Sequence, residues 1–195
     1  SSLVDWVGAS LYMNKYQFAN NMSSAGDAND MYFGLGQYAD AVKSLEHVAD
    51  IAAKYNKPII VTESGSGYAS SSGGEDLSAF AANRLTELYG TVNMVYPQVK
   101  AILHFDNNLG GCMYSLNGNS TVKAADDKAT ADNPTLVKSV GQSSPSFVKL
   151  NGASGLTGNI TLKAYCDVPN QSVTVTYTID GAQKGSSSAM PFGVN

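Results

Sequence analysis

One short run constrains this chain more than any other. Ile59-Ile60-Val61-Thr62 is a continuous apolar stretch entered from Asn56-Lys57-Pro58 and left through Glu63-Ser64-Gly65-Ser66-Gly67. A run of that length without polar alternation reads as a strand covered on both faces, as in a parallel sheet. Its flanks agree. Upstream, roughly Leu35 to Tyr55, the residues Val42, Leu45, Val48, Ala49 and Ala52 recur at three- and four-residue steps, which is a helical period. Pro58 stops that helix because proline cannot continue the hydrogen-bond ladder. Downstream, roughly Glu75 to Val95, Leu77, Phe80, Ala81, Leu85 and Leu88 share one side, and Tyr96-Pro97 closes the segment.

Two more apolar, strand-like runs bracket these helices: Leu3 to Tyr12, and Val99 to Phe105. Strand, helix, strand, helix, strand is the alternation of an α/β fold with a parallel sheet. A weak last helix is expected near Pro134 to Val140. The character changes at Gln142-Ser143-Ser144-Pro145. Beyond it, Phe147 to Leu150, Ile160 to Tyr165 and Val173 to Ile179 alternate apolar with polar, and Asp180-Gly181 marks a turn. That pattern is antiparallel and sandwich-like. Two domains are therefore expected, residues 1–142 and residues 143–195.

Charge narrows the choice of partners. The net charge is −4, the isoelectric point is about 5.0, and charged residues make up only 14% of the 195. No basic stripe is available to neutralise phosphates, so nucleic acid is excluded as a partner. Gly, Ser, Asn and Thr supply the polarity instead, a composition common outside cells, and a neutral polysaccharide suits it. No apolar run approaches the roughly 20 residues of a membrane span. Cys112 and Cys166 lie in segments of different character and lack metal-ligand spacing, so two free or buried thiols are expected. The Asp27, Asn29, Asp30 cluster matches no calcium-loop spacing, and no metal or cofactor is expected. The chain opens without Met or a signal peptide, as a piece of a longer secreted or cell-surface protein would.

Chemistry gathers at the ends of the three strands. Tyr12 with Asn14, then Glu63, then His104 with Asp106 and Asn107, all stand at C-terminal strand ends, the face where parallel α/β folds build their sites. Glu63 follows residues expected to be buried and precedes a tight glycine exit. It is either a partly desolvated functional carboxylate in need of partners or a solvated, salt-bridged loop residue. Tyr12 is a site residue or an aromatic cap on the core. His104 is functional or a hydrogen-bonded spacer. Asp106, Asn107 and Tyr68 are candidates to line a cleft. Trp6, inside a strand, is expected in the core or against a helix.

Lys57-Pro58-Ile59-Ile60-Val61-Thr62-Glu63-Ser64-Gly65 resembles the strand-seven signature of clan A glycoside hydrolases, which are (β/α)₈ barrels. Val4 to Tyr12 resembles strand six of the family 26 mannanase-like members, and Val99 to Asp106 resembles strand eight. The resemblance implies an α/β chain comprising the last three βα units of a TIM barrel, followed by a partial immunoglobulin-like β-sandwich of bacterial type. It implies a retaining, endo-acting hydrolase of a β-linked, mannan-like polysaccharide, with Glu63 as nucleophile and Tyr12 donating to it. Tyr12, His104, Asp106 and Tyr68 would contact the polysaccharide or oligosaccharide. His104 departs from the family, which carries an aromatic residue there, often Trp. The family's acid/base glutamate belongs to strand four, so the chain alone is expected to be inactive, and to form an oligomer or associate with the missing barrel part. The alternative is a non-catalytic carbohydrate-binding or cell-surface adhesion fragment.

Overall fold

The computed structural model describes residues 3–15, 39–70, 74–109, 111–137, 139–143, 145–167 and 172–195. The Asp27, Asn29, Asp30 cluster and the expected start of the first helix at Leu35 lie outside the described residues.

Three parallel strands form the centre: β1 (Val7–Tyr12), β2 (Ile59–Gly65) and Val99–His104, with Ile59–Gly65 in the middle. The first helix, α1 (Ala41–Tyr55), begins where Asp40 turns extended and its side chain accepts the Lys43 amide at 2.9 Å. Such a cap satisfies one of the amides that a helix start leaves without a partner. It ends at Asn56, whose φ of 49° is left-handed. There the Lys57 amide reaches the Ala52 carbonyl at 2.9 Å and the Asn56 amide reaches that of Ala53 at 3.2 Å. These are the paired bonds of a Schellman cap, so the helix is closed before Pro58 is reached.

After β2 come the two-residue strand β3 (Ala69–Ser70), the helix α2 (Ser78–Val95) and β4 (Val99–His104). A short hairpin, β5 (Asn108–Leu109) and β6 (Cys112–Met113), then pairs through β6 with β3. A 3₁₀ turn at Leu116–Gly118 leads into α3 (Ser120–Asp132). Leu11, Val42, Leu45, Ile59, Val61, Leu85, Leu88, Val92, Val99 and Val122 make one core. All three helices contribute to this core on one side of the parallel sheet. The opposite side carries exposed Gly8, Ser10, Thr62 and Leu103. Trp6, expected in the core or against a helix, is 47% exposed and stands just before β1.

The helix expected near Pro134–Val140 is displaced. It lies instead at Ser120–Asp132, where the Asn119 side chain accepts the amides of Thr121 and Val122, each at 3.1 Å. Lys123–Asp127 and Lys128–Asp132 are ion-paired one turn apart along it. Residues before proline disfavour the helical region, and Asn133, before Pro134, is extended with ψ 108°.

Beyond residue 143, one hairpin forms among the described residues, β7 (Val175–Ile179) and β8 (Ala182–Ser187). Asp180 and Gly181 turn it with φ of 49° and 78°, the left-handed pair that a two-residue hairpin requires. The stretches 147–150 and 160–165, which alternate like strands, are not strands, apart from an isolated bridge between Leu162 and Val194. Alternation sets which side a residue would face, but a ladder also needs a neighbouring backbone to pair with. Neither Cys112 nor Cys166 is in a disulfide among the described residues. Among the described residues no helix is long and apolar enough to cross a membrane.

Candidate functional site

Pairing between β1 and β2 runs Val7 with Ile59, Gly8 with Ile60 and Ala9 with Val61, then skips to Ser10 with Glu63. Thr62 is the surplus residue, a β-bulge, and its hydroxyl donates to the Ala9 carbonyl at 3.2 Å. Side chains along a strand alternate, so without the bulge Glu63 would share the helix-covered side of Ile59 and Val61. One extra residue reverses that parity. Glu63 instead joins Ser10 and Tyr12 on the open side, at the C-terminal end of the central strand, and is exposed.

The Tyr12 hydroxyl donates to Glu63 Oε2 at 3.3 Å. Partial burial of the phenol, then the charge and hydrogen bond of Glu63, push the Tyr12 pKa up from 10.0 to about 12. Tyr12 therefore stays protonated near neutrality and acts as a donor, never as a base. Its ring is fixed edge-on by Tyr114, centroids 5.4 Å apart, and by Phe105 at 6.1 Å. Phe105 and Tyr114 meet edge-on as well, at 6.1 Å. Gly65 lies against two of these rings. A Cβ there would come within 3.1 Å of Tyr114 and 3.5 Å of Tyr12, so glycine at this position lets the cluster close.

Asn14 supports the cluster from below. It is fully buried, its amide nitrogen donates to the Tyr114 hydroxyl at 3.0 Å, and its carbonyl accepts the Gly67 amide at 2.8 Å. Ser66 donates to the Met13 carbonyl at 2.6 Å, tying the exits of β1 and β2 together. Lys15 and Glu75 pair at 2.6 Å beyond them.

His104 is not brought to Glu63. It pairs across the sheet with buried Ser64, on the helix-covered side. Its Nε2 is 3.5 Å from the Tyr114 carbonyl oxygen, and its buried Nδ1 has no hydrogen-bond partner. The charge it feels is that of Asp126 on α3, whose carboxyl is pushed up by burial and drawn back by His104. A sugar-facing role for His104 therefore does not match its surroundings.

Tyr68 is buried, and its hydroxyl donates to the Ser115 carbonyl at 3.2 Å. A Cβ on Gly118 would collide with that hydroxyl. Burial, and then the charge of Asp106, raise the Tyr68 pKa. Asp106 is exposed, but its Oδ1 accepts the Leu116 amide at 2.8 Å and so holds the 3₁₀ turn. Asn108 accepts the amides of Tyr114 and Ser115 at 3.0 and 3.2 Å. Tyr68 and Asp106 thus shape the loop behind Tyr114, and Tyr68 offers no face to a ligand. Among the described residues, no three His, Cys, Asp or Glu side chains gather to hold a metal.

A scan against models of known protein families gives no match, and a search of curated proteins gives none either. The site must be read from its own geometry. Sequence reasoning missed Tyr114 and Asp126. A signal for Tyr114 existed: Asn108-Leu109-Gly110-Gly111-Cys112-Met113-Tyr114 has the spacing of a two-residue hairpin, with Tyr114 next after its second strand. Asp126 sits on a helix with few large apolar residues, and no sequence signal marked it.

Proposed function

We propose that Glu63 is the nucleophile of a retaining glycoside hydrolase. Residues 1–142 would be the last three βα units of a barrel resembling the family 26 enzymes, and residues 143–195 part of an immunoglobulin-like module. One observation carries this reading. A bulge turns an exposed carboxylate to the open side of the central parallel strand, at its C-terminal end, within reach of a tyrosine that stays protonated.

The chemistry follows from that pair. Tyr12 donates to Oε2, which holds the carboxylate in place and leaves Oε1 to attack. A bond forms between the carboxylate oxygen and the anomeric carbon as the bond to the leaving oxygen breaks. The leaving oxygen takes a proton from a second carboxylic acid about 5 Å away, which then activates water. Glu46 and Asp50 are on α1 and Glu87 is buried on α2, so none of them serves. In this reading the acid comes from a part of the barrel outside these residues, and the chain alone binds sugar without turning it over. The substrate class is a β-linked, mannan-like polysaccharide met outside the cell. The open sheet side and strand edges associate with the rest of the barrel or with a second copy.

The test uses a protein that joins this segment to the acid-bearing part. Glu63→Ala is expected to reduce kcat by several orders of magnitude. Added azide, a small nucleophile that fits the space left by the carboxylate, should restore turnover and give a glycosyl azide of inverted configuration. Turnover close to wild type removes Glu63 from the mechanism. Sugar binding without turnover in every such protein favours the non-catalytic carbohydrate-binding reading instead.

A further inference from the structure

Asparagine is a thermolabile residue, and a glycine after it, having no Cβ, leaves its own amide nitrogen open to attack the side chain. The chain contains two such pairs, Asn117-Gly118 and Asn151-Gly152. Both asparagines are exposed, so exposure does not separate them. Their backbones do.

Asn117 lies inside the 3₁₀ turn Leu116–Gly118. The Gly118 amide donates to the Ser115 carbonyl at 3.0 Å, and the Asn119 amide donates to that of Leu116 at 3.3 Å. Asp106 holds the Leu116 amide, and the Tyr68 hydroxyl presses on Gly118 from behind. Asn151 and Gly152 are instead the central residues of an open turn. The bond that closes it runs from the Ala153 amide to the Leu150 carbonyl at 3.1 Å. Gly152 has a φ of 82°, the left-handed value that the third position of a type II turn demands. A Cβ on Gly152 would meet nothing within 4 Å, and Leu150, Asn151 and Gly152 are all exposed.

We propose that Asn151 is a site of spontaneous deamidation in the folded protein, and that Asn117 is protected. The Gly152 amide nitrogen gives its proton to solvent base and bonds to the Asn151 side-chain carbonyl carbon. The bond from that carbon to Nδ2 breaks, and Nδ2 takes up a proton and leaves as ammonia. Water then opens the cyclic imide at either carbonyl, giving aspartate or isoaspartate. At Asn151 the attack geometry is reached by loosening one exposed turn, and local opening of that kind costs little. At Asn117 the attacking nitrogen must first leave the Ser115 carbonyl, and a turn held by Asp106 must unwind. The product puts a negative charge two residues from Lys149. The proposal is independent of the role of Glu63.

The test compares the folded chain with the same chain in denaturant, both kept in mildly alkaline buffer and then digested for peptide mass spectrometry. In denaturant the two Asn-Gly peptides should convert at similar rates, since both then have the same neighbours and no structure. In the folded chain the Asn151 peptide should convert about tenfold faster than the Asn117 peptide, or more. Part of the product should accept a methyl group from an isoaspartyl methyltransferase, which aspartate does not. Gly152→Ala, at an exposed turn, should slow conversion at Asn151 several-fold and leave Asn117 unchanged. The proposal is overturned if Asn117 keeps pace with Asn151 in the folded chain, if Asn151 converts only in denaturant, or if Gly152→Ala leaves its rate unaltered.

Discussion

The hydroxyl of Tyr12 and the carboxylate of Glu63 meet at 3.3 Å across neighbouring strands, although 51 positions separate them in the chain. A proton held between a phenol and a carboxylate stays on the phenol. Burial is the largest single cause of the Tyr12 shift, followed by the charge and then the hydrogen bond of Glu63. Glu63→Gln should therefore lower the Tyr12 pKa from about 12 part of the way to the ordinary 10.0, and no further. Because the folded value is raised, this group's contribution to stability is present below pH 10 and is lost as pH climbs towards about 12. Carbon-13 labelling at tyrosine Cζ reads the titration directly. An unchanged pKa in the variant would disconnect the two residues.

Thr62 sets which way Glu63 faces. Deleting it should carry Glu63 to the helix-covered side and bury an unpaired carboxylate, at a cost of roughly 3 kcal/mol or more. The same deletion combined with Glu63→Leu should regain much of that loss, because a leucine suits the core. Glu63→Leu alone, on an exposed site, should change stability by only about 0.5 kcal/mol. Chemical denaturation of the three variants checks the order, and a double variant no more stable than the deletion alone would contradict the parity argument.

Glu87 predicts a pH dependence. Burial first, then the charge and hydrogen bond of Asp40, raise its pKa from 4.5 to about 8, while Arg84 opposes them. The folded protein therefore holds a proton that the unfolded chain releases, so stability should fall as pH rises through the window from 4.5 to about 8. Glu87→Gln keeps an oxygen to accept the Ala41 amide, bonded at 2.8 Å in the native chain, and removes the titration. Its unfolding free energy should be flatter with pH across that window than wild type. Equal slopes would remove Glu87 as the cause.

The uncovered sheet side predicts self-association. Leu103 and Trp6 are each 47% exposed and Leu3 is 92% exposed, and the outer edges of β1 and β4 have no partner strand among the described residues. Exposed edges and apolar surface of this kind recruit other chains. Light scattering should give a mass that rises with concentration, and Leu103→Lys should reduce the rise. A mass independent of concentration would count against it.

How much of this could be read beforehand depended on whether the signal was local. Pro58, the apolar run Ile59 to Val61 and the glycine exit all act within a few residues, so the strand bearing Glu63 was legible. The face that Glu63 occupies was not, because the bulge appears only when β1 is laid beside β2. The same gap placed His104 wrongly with respect to Glu63: its side follows from its pairing with Ser64, and no periodicity within Val99 to His104 reveals it. Helix α3 was missed because small alanines and charge pairs stabilise it without a broad apolar stripe. The stretches 147–150 and 160–165 alternate correctly, yet only Leu162 finds a bridging partner, in Val194.

Asp40 closes two accounts at once. One carboxylate oxygen starts α1 by accepting the Lys43 amide, and the other accepts the Tyr165 hydroxyl from the far side of the 142/143 boundary, at 2.8 Å. Lys43, one helical turn in, pairs with Asp167 at 3.0 Å as well. The consequence is one of cooperativity. The Tyr165 bond to Oδ2 helps orient the carboxylate whose Oδ1 caps α1, so loosening the tail should also raise hydrogen exchange in the first turn of that helix. The change in sequence character at residue 142 divides two styles of packing, and the bonds of Asp40 and Lys43 run across it.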